Sequence, residues 1–158
     1  MRSIKLVTGV ILIVVAITGF TFWESHGRDM LYETELAVAS GDMESVKEYL
    51  MPENDDAYSG SEYGKLSQNS LWNARYHFVV AVALITRICV EHHMEREIAY
   101  TLSDVFVQKI DDCKTVAEIA ALHNIMVRDF TKRMQLLQKA ARTAGKALAK
   151  VEGIAEVD

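Results

Sequence analysis

The chain has 158 residues, half of them apolar, with a single proline and 8 glycines. This length is enough to bury one ordinary hydrophobic core, and so few turn-forming residues favour helices over a fold of many short strands. With a net charge of −5, from 22 acidic and 17 basic side chains, no basic face is large enough to argue for nucleic-acid binding on charge alone. The composition predicts an all-α fold, a bundle of about five helices.

The first predicted element is an uncharged, mostly apolar run at residues 6–23, LVTGVILIVVAITGFTFW. It meets the minimum length for crossing a bilayer, and the rings of Phe22 and Trp23 suit the headgroup level. No small-residue cleavage site follows, so an uncleaved helix is favoured over a removed signal peptide. Buried strands are the alternative, but they would have no further strands to pair with. We expect residues 1–25 to form a single-pass anchor in the cell membrane, and basic residues on both sides leave its orientation open.

Residues 26–138 are expected to form the helical domain. Within it, residues 35–50 predict a helix, a tight turn and a second helix. The turn falls at Gly41, and the carboxylate of Asp42 is placed to cap the second helix by accepting hydrogen bonds from its free amides. Only one copy of this unit is visible in the sequence, so a helical repeat array is not indicated.

The centre of the domain is a pair of helices that follows a surface loop. Turn-forming residues cluster in the loop, residues 51–69, and Ser70 is the expected N-cap of the next helix. That helix is apolar on nearly every face as far as Cys89, which predicts a position inside the bundle. After a polar junction, residues 95–111 form an amphipathic helix. We predict that the two helices form a buried apolar hairpin around which the rest packs.

A long final helix is predicted after the sequence Thr115-Val116-Ala117-Glu118, which is a capping box. Apolar residues then recur every three or four positions as far as Leu137. Beyond that point the chain is rich in Ala and Lys, and Gly145 and Gly153 are expected to break the helix. We therefore expect residues 139–158 to be a frayed or disordered tail.

Histidines provide the first candidates for chemistry. The pair at residues 92–93, flanked by Glu91 and Glu95, is the most tempting metal site. Metal ligation needs imidazoles that converge with other donors, whereas adjacent residues at a helix end point apart. A solvated turn is therefore the favoured interpretation. His77 is expected to be a buried histidine bonded to a carbonyl rather than a catalytic base, and His123 a hydrogen-bonding side chain at the surface or partly buried.

The remaining candidates are weaker. Ser103 beside Asp104 lacks the glycine elbow and the paired base of a nucleophilic serine. Cys89 is predicted to be a core residue, Cys113 lies next to a helix, and a disulfide between them is not favoured. The sequence contains no phosphate-binding glycine loop, no CxxC and no HExxH. We predict that the chain is not an enzyme, with no catalytic, cofactor-binding or metal-binding residues and no cofactor.

Three basic residues lie near the apolar hairpin, Arg75, Arg87 and Lys109. A charged side chain in this position either lies at the rim of the bundle or faces a ligand or partner. The rim position is favoured, because long basic side chains pack their stems on apolar surface while the charge stays in water.

Several short strings together resemble a known family. They are Gly41-Asp42, Gly64-Lys65-Leu66-Ser67, Ala83 to Arg87 with Cys89, Leu102 to Asp104, Gln108-Lys109, and Asp111 with Cys113. The combination, over roughly residues 30 to 135, resembles the amino-terminal, non-DNA-binding region of AraC-type transcriptional regulators, best represented in Firmicutes. The resemblance implies a cytoplasmic regulatory, oligomerisation or ligand-sensing module. Residues 139–158 are too few and too polar to build the two helix-turn-helix units that hold DNA in that family.

The expected partners are therefore a small-molecule effector and a second copy of the chain bound through the apolar hairpin. Direct DNA binding is not expected of this chain, and the membrane is expected as a partner of residues 6–23. The alternative to the regulatory module is a small membrane-anchored helical interaction protein with no transcriptional role.

Overall fold

The computed structural model describes residues 33–60 and 63–155, with side chains as far as residue 150. Every regular element in these residues is helical, which confirms the all-α class. The helices are α1 (residues 33–39), α2 (Met43–Glu48), α3 (Ser70–Glu91), α4 (Arg96–Lys109) and α5 (Val116–Ala155). A single 3-10 turn, Ile110–Asp112, follows α4. The described residues from Thr34 onward form one compact unit, and the predicted anchor at residues 1–25 lies outside the described residues.

The core lies where α3 packs against both α4 and α5, and α2 packs on α5 further along. Apolar residues spaced by three and four on α5 place Ile119, Met126, Phe130 and Met134 on one buried side. Phe78 and Val82 of α3, also fully buried, belong to the same core cluster. The core thus forms from the stripes that the helical period predicted on α3 and α5. The predicted stripe on α4 is only partly buried, because Leu102 and Phe106 enter the core while Ile98 and Val105 are exposed.

A tight turn links α1 to α2 and holds both against α5. Gly41 has φ +67°, and the amides of Gly41 and Asp42 donate to the carbonyls of Val38 and Ala37. This is the hydrogen-bond pattern of a Schellman motif, which ends a helix with a left-handed residue. The Asp42 carboxylate accepts from the amides of Glu44 and Ser45, at 3.0 and 3.2 Å. The predicted helix–turn–helix and its Asp42 cap are confirmed.

The start of α3 differs from the expectation, whereas its end falls at the predicted polar junction. The side chain of Asn69, not Ser70, caps the start of the helix by accepting from the Trp72 amide at 3.0 Å. Ser70 is instead the first helical residue, because the side chain of Asn69 one position earlier takes the capping role. At the other end His93 has φ +74°, and the Met94 amide donates to the Cys89 carbonyl at 2.9 Å. α3 therefore ends in a Schellman motif whose left-handed position holds a histidine.

Replacing His93 with glycine is expected to stabilise the fold. Glycine adopts the left-handed conformation without the steric cost that a Cβ brings, and we expect the free energy of unfolding to rise by about 0.5 kcal/mol. The matched control is His92→Gly, because His92 has φ −95° and glycine there only adds flexibility to the unfolded chain. Urea denaturation of the three proteins measures both effects. A loss of stability in His93→Gly equal to that in His92→Gly would contradict the prediction.

α5 is longer than the sequence led us to expect. It begins with the predicted capping box: the Glu118 amide donates to the Thr115 hydroxyl and the Thr115 amide donates to the Glu118 carboxylate. The helix then continues through Gly145 and Gly153, which we expected as breaks, and residues 139–150 are exposed. A glycine costs about 1 kcal/mol in a helix, and the surrounding Ala and Lys residues are strong helix formers.

Candidate functional site

The histidines, acids and cysteines singled out in the sequence do not converge. His92, His93 and Glu95 are exposed at the end of α3, and Ser103 and Asp104 lie on α4. Among the described residues, no group of three His, Cys, Asp or Glu side chains is placed to hold a metal ion. Absence of enzymatic activity stays a prediction.

The most distinctive surface is one side of α3. Five large apolar side chains are exposed there, and we call them the α3 face: Trp72 (48%), Tyr76 (46%), Val79 (40%), Val80 (47%) and Leu84 (36%). At 100° per residue they span an arc of about 140°, so they form a continuous stripe. Aromatic and branched aliphatic side chains together favour contact with another apolar surface.

The hairpin prediction for α3 is therefore only half right. We expected an apolar helix buried on all sides, whereas α3 buries one side against α4 and α5, and the α3 face is not covered by any of the described residues. Too few helices surround α3 to cover its whole circumference. By length and composition, α3 is also the one helix among the described residues that is apolar enough to cross a membrane, a test that the core helix of a soluble protein also passes.

Basic side chains mark both ends of the α3 face. The Arg75 guanidinium lies 4.8 Å from the centre of the Trp72 ring, and its Nη2 donates to the Cys113 carbonyl at 3.0 Å. Arg87, which is largely exposed, forms an ion pair with Glu91 at 2.9 Å. Lys109 lies 5.4 Å from the ring centre of Phe106. Arg75 and Lys109 thus lie against aromatic rings, whereas Arg87 is mostly exposed to solvent and pairs with Glu91.

A second feature is a polar cavity under the loop that precedes α3. It has a volume of about 300 Å³, and Tyr58, Tyr63, Lys65 and Asn73 are among the residues that line it. Tyr58 is buried, and within the described part of the chain its hydroxyl has no hydrogen-bond partner. Burial is the main reason that the pKa of this hydroxyl is raised well above its usual value.

Two buried asparagines hold this loop to the helices, and sequence reasoning missed both. The side chain of Asn124 on α5 accepts from the Met51 amide at 2.8 Å and donates to the Met51 carbonyl at 2.9 Å. The side chain of Asn73 on α3 accepts from the amides of Leu66 and Ser67, at 2.8 and 3.2 Å. An asparagine inside an apolar helical stripe was the available signal, because such a residue needs a partner when buried.

The two predicted hydrogen-bonding histidines flank the same loop. The Nε2 of His77 lies 2.6 Å from the Gly64 carbonyl oxygen, and its ring stacks on Tyr58 with centroids 6.0 Å apart. His123 is buried beside Tyr58 and Phe78, with ring centroids 6.5 and 6.4 Å away. Burial lowers the pKa of His123 to about 4, so the ring is neutral at physiological pH.

The cysteines are poor nucleophiles in these positions. Cys89 and Cys113 are both free and buried, so no disulfide joins them. Burial raises the pKa of Cys89 to about 12 and is also the main cause of the raised pKa of Cys113. Since the thiolate is the reactive form, both thiols are held in their unreactive state at neutral pH.

Comparison with known proteins gives no relative for this arrangement. No family model matches the chain, and no curated protein or solved structure matches it. The candidate site is therefore assigned from the geometry of the described residues alone.

Proposed function

We propose that this chain is a non-enzymatic helical interaction module and that the α3 face is its binding surface. The observation that carries the proposal is the exposure of five large apolar side chains along one side of a helix whose other side is fully packed. Apolar patches of this kind on small domains are typical of contact sites. Tryptophan and tyrosine, both present here, are enriched where binding energy concentrates.

The module fits two biological settings. In the regulatory setting implied by the resemblance to AraC-type regulators, it dimerises or senses an effector without reading DNA itself. In this setting, the cavity beside the loop that precedes α3 is the proposed binding site for a small polar effector. Its volume of about 300 Å³ lies at the small end of the range for ligand sites. In the other setting, residues 6–23 anchor the module in the cell membrane, with the length and composition of that run as support.

The proposal is tested by asking whether the α3 face is covered in living cells. We would place the photo-crosslinking amino acid p-benzoylphenylalanine at Tyr76 of the full chain. The matched control carries it at Ile125, which is 54% exposed on α5 and lies outside the α3 face. Irradiation is expected to give a discrete crosslinked protein from position 76 and none from position 125.

The measurement is the set of adducts seen by immunoblotting and mass spectrometry. Equal amounts of adduct from both positions would mean that the contacts are nonspecific. No adduct from position 76 would mean that no protein binds the α3 face. Either result would contradict the proposed function.

A further inference from the structure

We propose that the partner of the α3 face is a second copy of this chain, bound with the two α3 helices antiparallel about a two-fold axis at Val79–Val80. The inference rests on the proposed function and names its partner. It follows from the order of side chains along the helix, which is self-complementary in the antiparallel direction. A two-fold interface requires that property, because the same surface must fit itself.

Most side chains on this side of α3 pair by size and chemistry around the midpoint between Val79 and Val80; the exception is Leu84, whose counterpart is Arg75. Tyr76 and Ala83 lie at equal distances from that midpoint on opposite sides, as do Trp72 and Arg87. An antiparallel pair therefore sets each large Tyr76 ring over the small Ala83 of the other copy. The valines meet at the centre, where close packing of branched side chains excludes water.

The ends of the stripe add a second, electrostatic match. The Arg87 guanidinium comes next to the Trp72 ring of the other copy, and tryptophan is the best aromatic partner for a cation. Arg87 has a largely exposed side chain whose one ion pair, with Glu91, is itself at the surface, so it is accessible to this contact. Each interface would contain two such pairs.

A parallel arrangement lacks these matches. It would stack Tyr76 on Tyr76 and leave a gap where two Ala83 residues face each other. It would also bring the two Arg87 charges together, and like charges at close range are unfavourable. The direction of the pair is thus determined by the side chains themselves.

The exposed area limits the size of the contact. Aromatic side chains bury 150–250 Å² when fully covered, and at the exposed fractions given above the five side chains of the α3 face offer roughly 400 Å² per copy. A standard interface buries about 800 Å² per partner. The contact is about half that size, so we expect a weak and reversible dimer.

Sedimentation of the full chain over a range of concentrations measures this equilibrium. Val80→Glu places a charge at the two-fold axis, where it meets its own copy, and is expected to weaken association at least tenfold. Ile125→Glu adds the same charge to an exposed apolar position outside the α3 face and is expected to leave Kd unchanged. Circular dichroism checks that both variants keep the helical fold. Equal dimerisation of Val80→Glu and Ile125→Glu would overturn the inference.

Cysteine crosslinking in cells then tests the direction. Val80→Cys is expected to form a disulfide-linked dimer under mild oxidation, because the two copies of position 80 meet at the axis. Trp72→Cys is not expected to form a disulfide-linked dimer, because an antiparallel pair keeps the two copies of position 72 about 20 Å apart. The unmodified chain, with its two buried cysteines, gives the background.

Crosslinking from both positions would show a parallel pair and overturn the inference. A photo-crosslinked adduct from position 76 that contains a different protein, without any dimer, would also overturn it. In that last case the α3 face would still be a binding surface and the proposed function would stand.

Discussion

Replacing Gly41 with alanine is expected to be one of the most destabilising single-methyl changes in this chain. A Cβ on Gly41 would lie 2.6 Å from both the Cα and the N of Gln135, which are backbone atoms of α5. Backbone atoms cannot rotate away, so the turn between α1 and α2 must lift off α5. The left-handed backbone adds a further steric cost at φ +67°. Together we expect a loss of about 3 kcal/mol in the free energy of unfolding.

Gly64→Ala is the matched control, because nothing lies within 4 Å of a Cβ at that position. We expect its free energy of unfolding to stay within about 0.5 kcal/mol of that of the unmodified chain. Urea denaturation followed by circular dichroism gives both values. Equal midpoints for Gly41→Ala and Gly64→Ala would show that the turn is not tightly seated on α5.

Acidification from pH 6.5 to pH 4 is expected to cost the fold about 3 kcal/mol through His123. Burial holds the pKa of His123 near 4, and a contact with Asn124 acts weakly in the opposite direction. In the unfolded chain the same ring titrates near 6.5. Between pH 6.5 and pH 4 the His123 ring binds a proton in the unfolded chain but not in the folded one. The free energy of unfolding therefore falls as the pH falls.

His123→Leu removes this titration while filling the space with an apolar side chain. In this variant the free energy of unfolding is expected to stay constant in its His123 contribution between pH 6.5 and pH 4. This holds whatever the absolute stability of the variant at neutral pH. His92→Gln, at an exposed position, is expected to keep the slope. Glu35 acts in the opposite direction, because burial and the nearby Glu91 raise its pKa. An unchanged slope in His123→Leu would show that the ring is protonated inside the fold.

The two Schellman turns show what local sequence does and does not reveal. The turn at Gly41 was predictable, since glycine followed by a capping acid is a strong signal for a helix end and a new start. The turn at His93 carries no glycine, and only the hydrogen bonds of Met94 and His93 show that α3 ends in the same way. The predicted polar junction was correct in place but gave no hint of its geometry.

The extent to which α3 is buried is a second feature that the sequence could not predict. The helical period showed that α3 is apolar, but it could not say how many neighbours would cover it, because that depends on how the whole chain packs. The α3 face was therefore invisible in the sequence. In the same way, Asn73 and Asn124 look like ordinary polar residues until the loop backbone is seen to lie within their reach.

Arg75 links the outer surface of the protein to its longest helix. Its guanidinium touches the Trp72 ring on one side and holds the Cys113 carbonyl, just ahead of α5, on the other. One side chain thus contacts both the aromatic end of the α3 face and the backbone just before α5. Under the proposed function, an occupant packed on the Trp72 indole would also lie next to the guanidinium that is hydrogen-bonded to this junction.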